Sequence, residues 1–169
     1  MHDIELDGPR VGHVREHARK AFRECAHCFP RGYPDSLEKA VEVLLPDFQL
    51  IPLDNELPRN VQAVTLREDR LIGYNSKLPR VRVRFSIAHE LGHIRLDHPD
   101  WILGLDPKEG KPYETEAHMF AGEFLVPLSS LKAAFKTCRD PNELAKQFNV
   151  SREVMFIRFK DARLLSKIV

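Results

Sequence analysis

Two histidines and a glutamate lie close together in the chain, as His89, Glu90 and His93. Because residues four apart lie on one face of an α-helix, His89 and His93 can offer two imidazoles to the same metal ion. Glu90 lies one step round the helix, where its carboxylate can reach a water on that metal without being a third ligand. A metal ion lowers the pKa of such a water, and a nearby carboxylate can take the proton. The pattern predicts the chemistry of a zinc hydrolase.

An alternative interpretation is a surface helix that carries two histidines without a metal. The surrounding sequence argues against it, because the apolar neighbours are Phe85, Ile87, Ala88, Leu91, Ile94 and Leu96. A helix of this composition is expected to be buried, and buried His and Glu side chains need partners. Gly92 costs a helix interior about 1 kcal/mol relative to Ala, which indicates that a backbone or a substrate approaches closely there.

A catalytic zinc site usually has three protein ligands and one open position, so a third ligand is expected downstream of His93. The candidates are Asp97, His98, Asp100, Glu114, Glu116 and His118. His98 would require a sharp reversal of the chain, and residues 95–97 contain no glycine that would make this easy. The sequence therefore favours a ligand from a second helix.

The segment 113–127 is the better source of that ligand. Its apolar residues have the spacing of one helical face, and Pro127 marks its end; they are Ala117, Phe120, Ala121, Phe124 and Leu125. Glu114 falls on this inward face, whereas Glu116 points elsewhere and is the second choice. His118, four residues after Glu114, is placed to hydrogen-bond to the ligand from behind. A purely structural role for Glu114, as an acidic residue at a helix N-terminus, is the competing interpretation.

These two motifs together resemble the ImmA/IrrE family of metallopeptidases, over a stretch from about residue 36 to the C-terminus. The matching features are residues 84–93, the pair Glu114 and Glu116, and the apolar pattern that ends at Pro127. The resemblance implies a gluzincin-like site, with zinc on His89, His93 and a glutamate of the second helix, and with Glu90 as the base. It also implies an intracellular protein that cleaves helix-turn-helix repressors in stress or mobile-element responses.

Composition limits the other possibilities. The chain has 169 residues, of which 43% are hydrophobic, enough for one domain with a proper core. A formal net charge of +1 gives no general electrostatic reason to bind nucleic acid or a membrane. No apolar run approaches the length of a membrane span, and the polar, acidic N-terminus is not typical of a signal peptide. A cytoplasmic protein is expected.

The three cysteines do not form a disulfide framework. Cys25 and Cys28 could be half of a second zinc site, completed by His13, His17 or His27, or they could be a redox pair. No second Cys-x-x-Cys follows, and no βαβ pattern precedes them. Two reduced thiols at a helix end is the favoured interpretation, and Cys138 is expected to be structural.

The fold is predicted to be α+β, with a small, mostly antiparallel sheet packed on the metal-binding helix pair and a C-terminal helical region. Predicted strands are 48–53, with an edge proline, and the hairpin 61–66 and 70–74; predicted helices include 11–24 and 36–45. Three segments are expected: an N-terminal helical extension (1–35), a peptidase core (36–137) and a helix-turn-helix-like region (138–169). The sheet edge could also hold a substrate peptide as an added strand.

Two parts of the sequence have less specific predictions. Residues 97–112 are expected to link the two metal helices and to line the rim of the cleft, with Trp101 as a packing or rim residue. Tyr113 could hydrogen-bond an oxyanion.

In the C-terminal region, the four cations Arg152, Arg158, Lys160 and Arg163 could meet phosphate. Core packing through Val154, Ile157, Leu164 and Leu165 is the competing interpretation, and docking of a partner's helices is at least as consistent with the pattern as DNA.

The sequence thus predicts a zinc endopeptidase whose substrate is a helix-turn-helix repressor. A ligand set of two histidines and one glutamate would also fit manganese or iron. The alternative is a metal-binding regulatory or antitoxin-like module that acts through a protein partner or DNA and cleaves nothing.

Overall fold

A computed structural model describes residues 8–100 and 107–168 of the chain, and at Pro107 the backbone only. Two helices, three strands and five further helices follow in the order α1 (Val11–Cys25), α2 (Leu37–Leu44), β1 (Gln49–Pro52), β2 (Ala63–Leu66), β3 (Leu71–Tyr74), α3 (Arg80–Arg95), α4 (Pro107–Leu125), α5 (Leu128–Phe135), α6 (Pro141–Phe148) and α7 (Arg152–Asp161). Short 3₁₀ turns follow α1 at Ala26–Cys28 and α7 at Leu165–Lys167. The predicted α+β class is confirmed.

Several helices begin where the sequence places a capping side chain. Ser36 precedes α2, and its hydroxyl accepts a hydrogen bond from the backbone N–H of Lys39 at 3.3 Å. Asp140 and Ser151 cap α6 and α7 in the same way. Such caps satisfy backbone donors that a helix start leaves without an intrahelical partner. Asn149 then ends α6 in the left-handed conformation, with φ of 60°.

The three strands form a mixed sheet in the order β1-β3-β2. β2 and β3 are the predicted antiparallel hairpin, whereas β1 pairs with β3 in parallel. The sheet is therefore mixed and not mostly antiparallel as predicted. β3 lies between β1 and β2 and runs in the same direction as β1. β1 is an edge strand that ends at Pro52, as its proline indicated.

The centre of the molecule is the contact between α3 and α4, with α1 packed on the other side of α4. Leu91, Phe120 and Phe124 are fully buried there. A Cβ at Gly92 would lie 3.1 Å from the Phe120 ring, so the close approach predicted at this glycine is made by a side chain of α4. The glycine lets the two helices that carry the predicted ligands pack closely.

Buried Arg84 ties α3 to loops from distant parts of the chain. Its guanidinium donates to the carbonyl oxygens of Pro34 at 2.6 Å, Asp35 at 3.1 Å and Asn149 at 3.1 Å. Those carbonyls belong to the loop before α2 and to the turn between α6 and α7. Through these three hydrogen bonds, Arg84 connects α3 to the loop before α2 and to the turn between α6 and α7.

The C-terminal helix pair is present, but its cations are not all available to phosphate. Arg158 is 2% exposed and pairs with Glu123 at 2.8 Å and Asp161 at 2.9 Å. The possibility that Arg158 contacts phosphate is therefore not supported, because its guanidinium is paired with carboxylates inside the fold. The core packing predicted for this region is confirmed at Val154 and Leu164 and wrong at Ile157 and Leu165, which are 59% and 42% exposed. Within α7, Met155 and Phe159 are buried.

The connection between α3 and α4 is shorter than the predicted linker 97–112, because α4 already includes residues 107–112 with Pro112 inside the helix. Trp101, expected to pack or to line the rim, lies outside the described residues. Among the helices described, none combines the length and apolar character that crossing a membrane requires.

Candidate metal centre

Three side chains from two helices converge at the α3–α4 contact. His89 and His93 project from α3, and Glu114 projects from α4 towards both. The Nε2 atoms of the two histidines lie 3.0 Å apart. One oxygen of Glu114 lies 3.0 Å from Nε2 of His89, and the other lies 3.2 Å from Nε2 of His93. Among the described residues, this is the one group of three His, Cys, Asp or Glu side chains with metal-binding spacing.

The donor set fits a divalent metal ion. Ligands bonded at about 2.0–2.1 Å in tetrahedral directions lie on the order of 3.3 Å apart, close to the spacing of these three atoms. Hydrogen bonds with His89 and His93 hold the pKa of the Glu114 carboxyl well below its usual range, so this ligand is charged. Two imidazoles and a carboxylate suit zinc, and the same set accepts manganese or iron. The predicted ligands are brought together, including the choice of Glu114 over Glu116.

Glu90 lies beside this cluster without belonging to it. One of its carboxylate oxygens accepts a hydrogen bond from the Thr65 hydroxyl at 2.6 Å. Thr65 is on β2, the strand that faces α3 across the site. The hydroxyl fixes the carboxylate at the wall of the cleft, where a general base would need to lie. Sequence analysis did not identify Thr65, because its role depends on where β2 packs rather than on any motif.

His98 reaches the site although the sequence argued against it. The backbone after α3 forms a Schellman motif: His98 N–H donates to His93 C=O at 3.0 Å, and Asp97 N–H donates to Ile94 C=O at 3.1 Å. Asp97 occupies the left-handed position usually filled by glycine, with φ of 53°. The expected barrier to a sharp reversal was therefore wrong, and His98 lies behind His93 with their Nδ1 atoms 2.8 Å apart.

Arg67 holds this reversal in place. Its guanidinium donates to the carbonyl oxygens of His93 at 3.1 Å and His98 at 2.7 Å. The same side chain pairs with Asp100 at 2.6 Å and with Asp97 at 3.5 Å. Asp97 and Asp100, both considered as ligands, are thus drawn to Arg67 and are not in the metal cluster. A cation at a helix C-terminus also interacts favourably with the helix dipole.

Glu116 is not one of the three converging side chains and is buried between Arg10 and His98. Its side chain is 0% exposed and pairs with Arg10 at 2.8 Å and with His98 at 2.8 Å. Despite burial, which raises a carboxyl pKa, hydrogen bonds from Arg10 and His98 hold the Glu116 pKa at about 2. Glu116 is therefore an ionised carboxylate and a partner of His98.

Two further candidates have contacts that differ from their predicted roles. His118 accompanies Glu114, but the polar contact of its ring is with the backbone oxygen of Glu114, at 2.8 Å, and not with the carboxylate. Its ring also lies edge-on to His89, 4.5 Å between centroids. Tyr113 is 7% exposed and packs against His98, and it is not among the described side chains that line the cleft. A role for Tyr113 at an oxyanion is therefore not supported.

The cluster opens into a cleft of about 630 Å³. One wall is formed by the two ligand helices, and the opposite wall by residues 60–65, which include most of β2. Because the strand order is β1-β3-β2, β2 has no partner on its outer side among the described strands. An extended chain could lie there within reach of both Glu90 and the three ligands.

The cysteines do not form a second metal cluster within the part of the chain that the structure describes. Cys25 is fully buried at the end of α1, where its thiol donates to the carbonyl of Ala21 at 3.3 Å. Burial raises the pKa of this thiol to about 12, which keeps it protonated. The rings of His13 and His17 contact each other at a tilt of 44°, with centroids 4.1 Å apart. The interpretation as reduced thiols is the one that these contacts favour.

Comparisons with known proteins agree with this architecture. A family model described as the IrrE N-terminal-like domain, of the M78 peptidases, matches residues 56–160. No curated protein gives a significant match. Among solved structures, the chain is similar to a Mycobacterium tuberculosis transcriptional regulator, with a TM-score of 0.66 and 20% identity over 86% of this chain. The chain spans 46% of the length of that protein, and at this identity the likeness shows the fold alone.

The segment matched by the family model is more than half of the chain and contains every residue of the metal cluster together with Glu90 and Thr65. The chain therefore belongs to the M78 peptidase family, as an IrrE N-terminal-like domain.

Proposed function

We propose that this protein is a zinc-dependent endopeptidase, with His89, His93 and Glu114 as the metal ligands and Glu90 as the general base. The observation that carries the proposal is the convergence of three ligand atoms next to a carboxylate that is held apart from them by Thr65. A bound zinc ion supplies Lewis-acid polarisation of the scissile carbonyl and a lowered pKa for the attacking water. Glu90 takes the proton from that water and then delivers it to the leaving amine.

The outer edge of β2 is the proposed binding surface for the substrate backbone. An extended peptide that pairs with residues 63–66 would make main-chain hydrogen bonds and would pass over the metal cluster, since Thr65 contacts Glu90 directly. Backbone pairing gives affinity without strong sequence preference. Side chains of the peptide would fill the cleft between β2 and the ligand helices, where selectivity would arise.

The proposed substrate is a helix-turn-helix transcriptional repressor in the cytoplasm, cleaved during a stress or mobile-element response. This part of the proposal rests on the resemblance of the two motifs to the ImmA/IrrE peptidases. Family membership and the likeness to a protein named as a transcriptional regulator are consistent with it. Cleavage of the repressor would relieve repression.

A module that binds a partner without cleaving it is the second candidate. The observation in its favour is the apolar surface of α7, where Phe156 and Ile157 are 46% and 59% exposed. Exposed aromatic and aliphatic residues on one helix are typical of protein docking surfaces. Under this alternative, Glu90 would have no role in the biological effect, so its substitution separates the two candidates.

The test is capture with a variant that binds but does not cut. Tagged Glu90→Gln protein is expected to keep its metal and to retain a helix-turn-helix protein, identified by mass spectrometry of the purified complex. The captured protein is then purified and incubated with zinc-loaded wild type and with zinc-loaded Glu90→Gln. The proposal is supported if the wild type cuts the captured protein into two fragments and Glu90→Gln leaves it intact. A captured partner that stays intact with both proteins would favour the docking module instead.

A further inference from the structure

A buried chain of hydrogen bonds runs from the back of one metal ligand to the start of α1. It connects His93, His98, Glu116 and Arg10, which are contributed by α3, the turn after it, α4 and the residue before α1. We propose that His98 and Glu116, anchored by Arg10, are positioning residues that set the orientation and proton arrangement of His93 for metal binding. This inference rests on the proposed metal site.

The geometry allows one arrangement of protons along the chain. A metal on Nε2 of His93 requires a proton on its Nδ1, since a neutral imidazole carries one N–H. That N–H donates to Nδ1 of His98 at 2.8 Å, which must then accept. His98 in turn carries its proton on Nε2 and donates it to Glu116 at 2.8 Å. Each donor meets an acceptor, so the ionised carboxylate at the far end selects the tautomers of both rings.

Glu116 can serve as this end point because its charge is fully compensated. Arg10 donates to it three times: from the backbone N–H at 2.7 Å, from Nε at 2.9 Å and from Nη2 at 2.8 Å. The Glu116 side chain is 0% exposed, so an ion there without partners would be strongly unfavourable. The two carboxylate oxygens of Glu116 are therefore both hydrogen-bonded, to Arg10 and to the imidazole of His98.

His98 cannot easily rotate out of this chain. Its side chain is 1% exposed, the Schellman motif fixes its backbone, and Arg67 holds its carbonyl at 2.7 Å. The other ligand of α3 is different, because Nδ1 of His89 is buried with no hydrogen-bond partner among the described residues. His93 therefore has a hydrogen bond on the nitrogen behind the metal site and His89 has none among the described residues, which assigns the positioning role to the chain behind His93.

Metal affinity is the measurement that tests the inference, with Co²⁺ titrated into metal-free protein in competition with a chromophoric chelator. Glu116→Gln is expected to weaken Co²⁺ binding about 10–100-fold, the range typical for groups that orient a ligand. The visible absorption of bound Co²⁺ should also shift, because the His93 ring is released. Arg10→Met, at a 40% exposed position, gives a smaller loss in the same direction, and Arg10→Lys should restore part of it.

Glu123→Gln is the matched control. Glu123 is the other buried carboxylate of α4, 4% exposed, and it also pairs with arginines, at 3.3 Å from Arg19 and 2.8 Å from Arg158. Its loss should destabilise the fold as Glu116→Gln does, but leave Co²⁺ affinity and absorption at wild-type values. Equal effects of both variants on Co²⁺ binding, or none from Glu116→Gln and Arg10→Met, would overturn the positioning role while the metal site stands. A wild type that binds no Co²⁺ would refute both proposals.

Discussion

Two of the charged clusters on helix α4 differ in how their charges are paired. Near the middle of the helix, Glu114 faces His89 and His93 at the open cleft. Near its end, Glu123 faces Arg158, which also binds Asp161 and the carbonyl of Val126. In the second cluster every acceptor faces a cationic donor, so the charges are neutralised within the protein. In the first, two imidazole nitrogens and a carboxylate converge from two helices, and Glu114 is 47% exposed.

The two clusters differ in burial and in charge pairing, and these differences distinguish a structural role from a role in metal binding. A buried cluster of matched charges stabilises the fold only if it stays complete. A cluster of three ligand atoms that converge on one point can gain further stabilisation when a cation binds between them. Substitution of the candidate metal ligands should therefore act mainly on metal binding, whereas substitution of Arg158 should act mainly on stability.

The largest expected effect is the loss of the metal in Glu114→Ala. Removing one of three ligands should abolish stoichiometric zinc binding and, with it, all cleavage. The metal content of the purified protein, measured by mass spectrometry, checks this. Glu109→Ala, an exposed glutamate on the same helix, is the control and should keep one zinc per chain. Normal zinc content in Glu114→Ala would rule out Glu114 as a ligand.

Arg158→Met tests the closed cluster. It leaves Glu123 buried without its nearest cation, so unfolding free energy should fall by about 3–5 kcal/mol. For a chain of this size this lowers Tm by about 6–20 °C in a thermal melt. Lys160→Met, at an exposed cation two residues later, should change stability by less than about 0.5 kcal/mol.

Arg158→Met also tests whether the Arg158 cluster affects metal binding. At temperatures where Arg158→Met is folded, its zinc affinity should equal that of the wild type. A clear loss of zinc affinity would mean that the Glu123–Arg158 cluster also contributes to metal binding, and the two clusters would not have separate roles.

Metal-free protein should lose stability in mild acid because of His98. Burial, and the charges of His93 and Arg10, lower the pKa of this imidazole to about 4 although Glu116 opposes the shift. Since an unfolded histidine titrates near 6.5, the unfolded state binds more protons between the two values. Stability is therefore lost as pH falls from 6.5 to 4, by up to about 3 kcal/mol. Urea unfolding with chelator present, at pH 7 and pH 5, measures it; His98→Asn should show a flatter pH dependence.

The ligands of the metal cluster could be predicted because their relationship is local. His89 and His93 are four apart on one helix, and Glu114 lies on the apolar face of the next, so helical periodicity was sufficient. Their supporting residues depend on tertiary structure. Arg10 meets Glu116 across 106 positions, and no periodicity links them.

The errors have equally specific causes. His98 was set aside because its turn lacks glycine, yet Asp97 adopts the left-handed conformation there. Arg158 was a candidate for phosphate because sequence shows charge and not burial. The turn at Asp97 and the burial of Arg158 both depend on the packed fold, which residue type alone does not reveal; His98 itself is not in the group of three candidate ligands.

Thr65→Val is the smallest of these effects and the most direct probe of how β2 takes part in the site. The valine keeps the size and β-branched shape of threonine but removes the hydroxyl that donates to Glu90 at 2.6 Å. Without this hydrogen bond the base is less well oriented, so the rate of peptide cleavage should fall about tenfold, equivalent to about 1.4 kcal/mol. Zinc affinity should not change, because Thr65 contacts no ligand. Thr65→Ser, which keeps the hydroxyl, should retain most of the rate. If Thr65→Val and Thr65→Ser cleave equally well, the hydroxyl does not orient the base, and the contribution of β2 is limited to binding the substrate backbone.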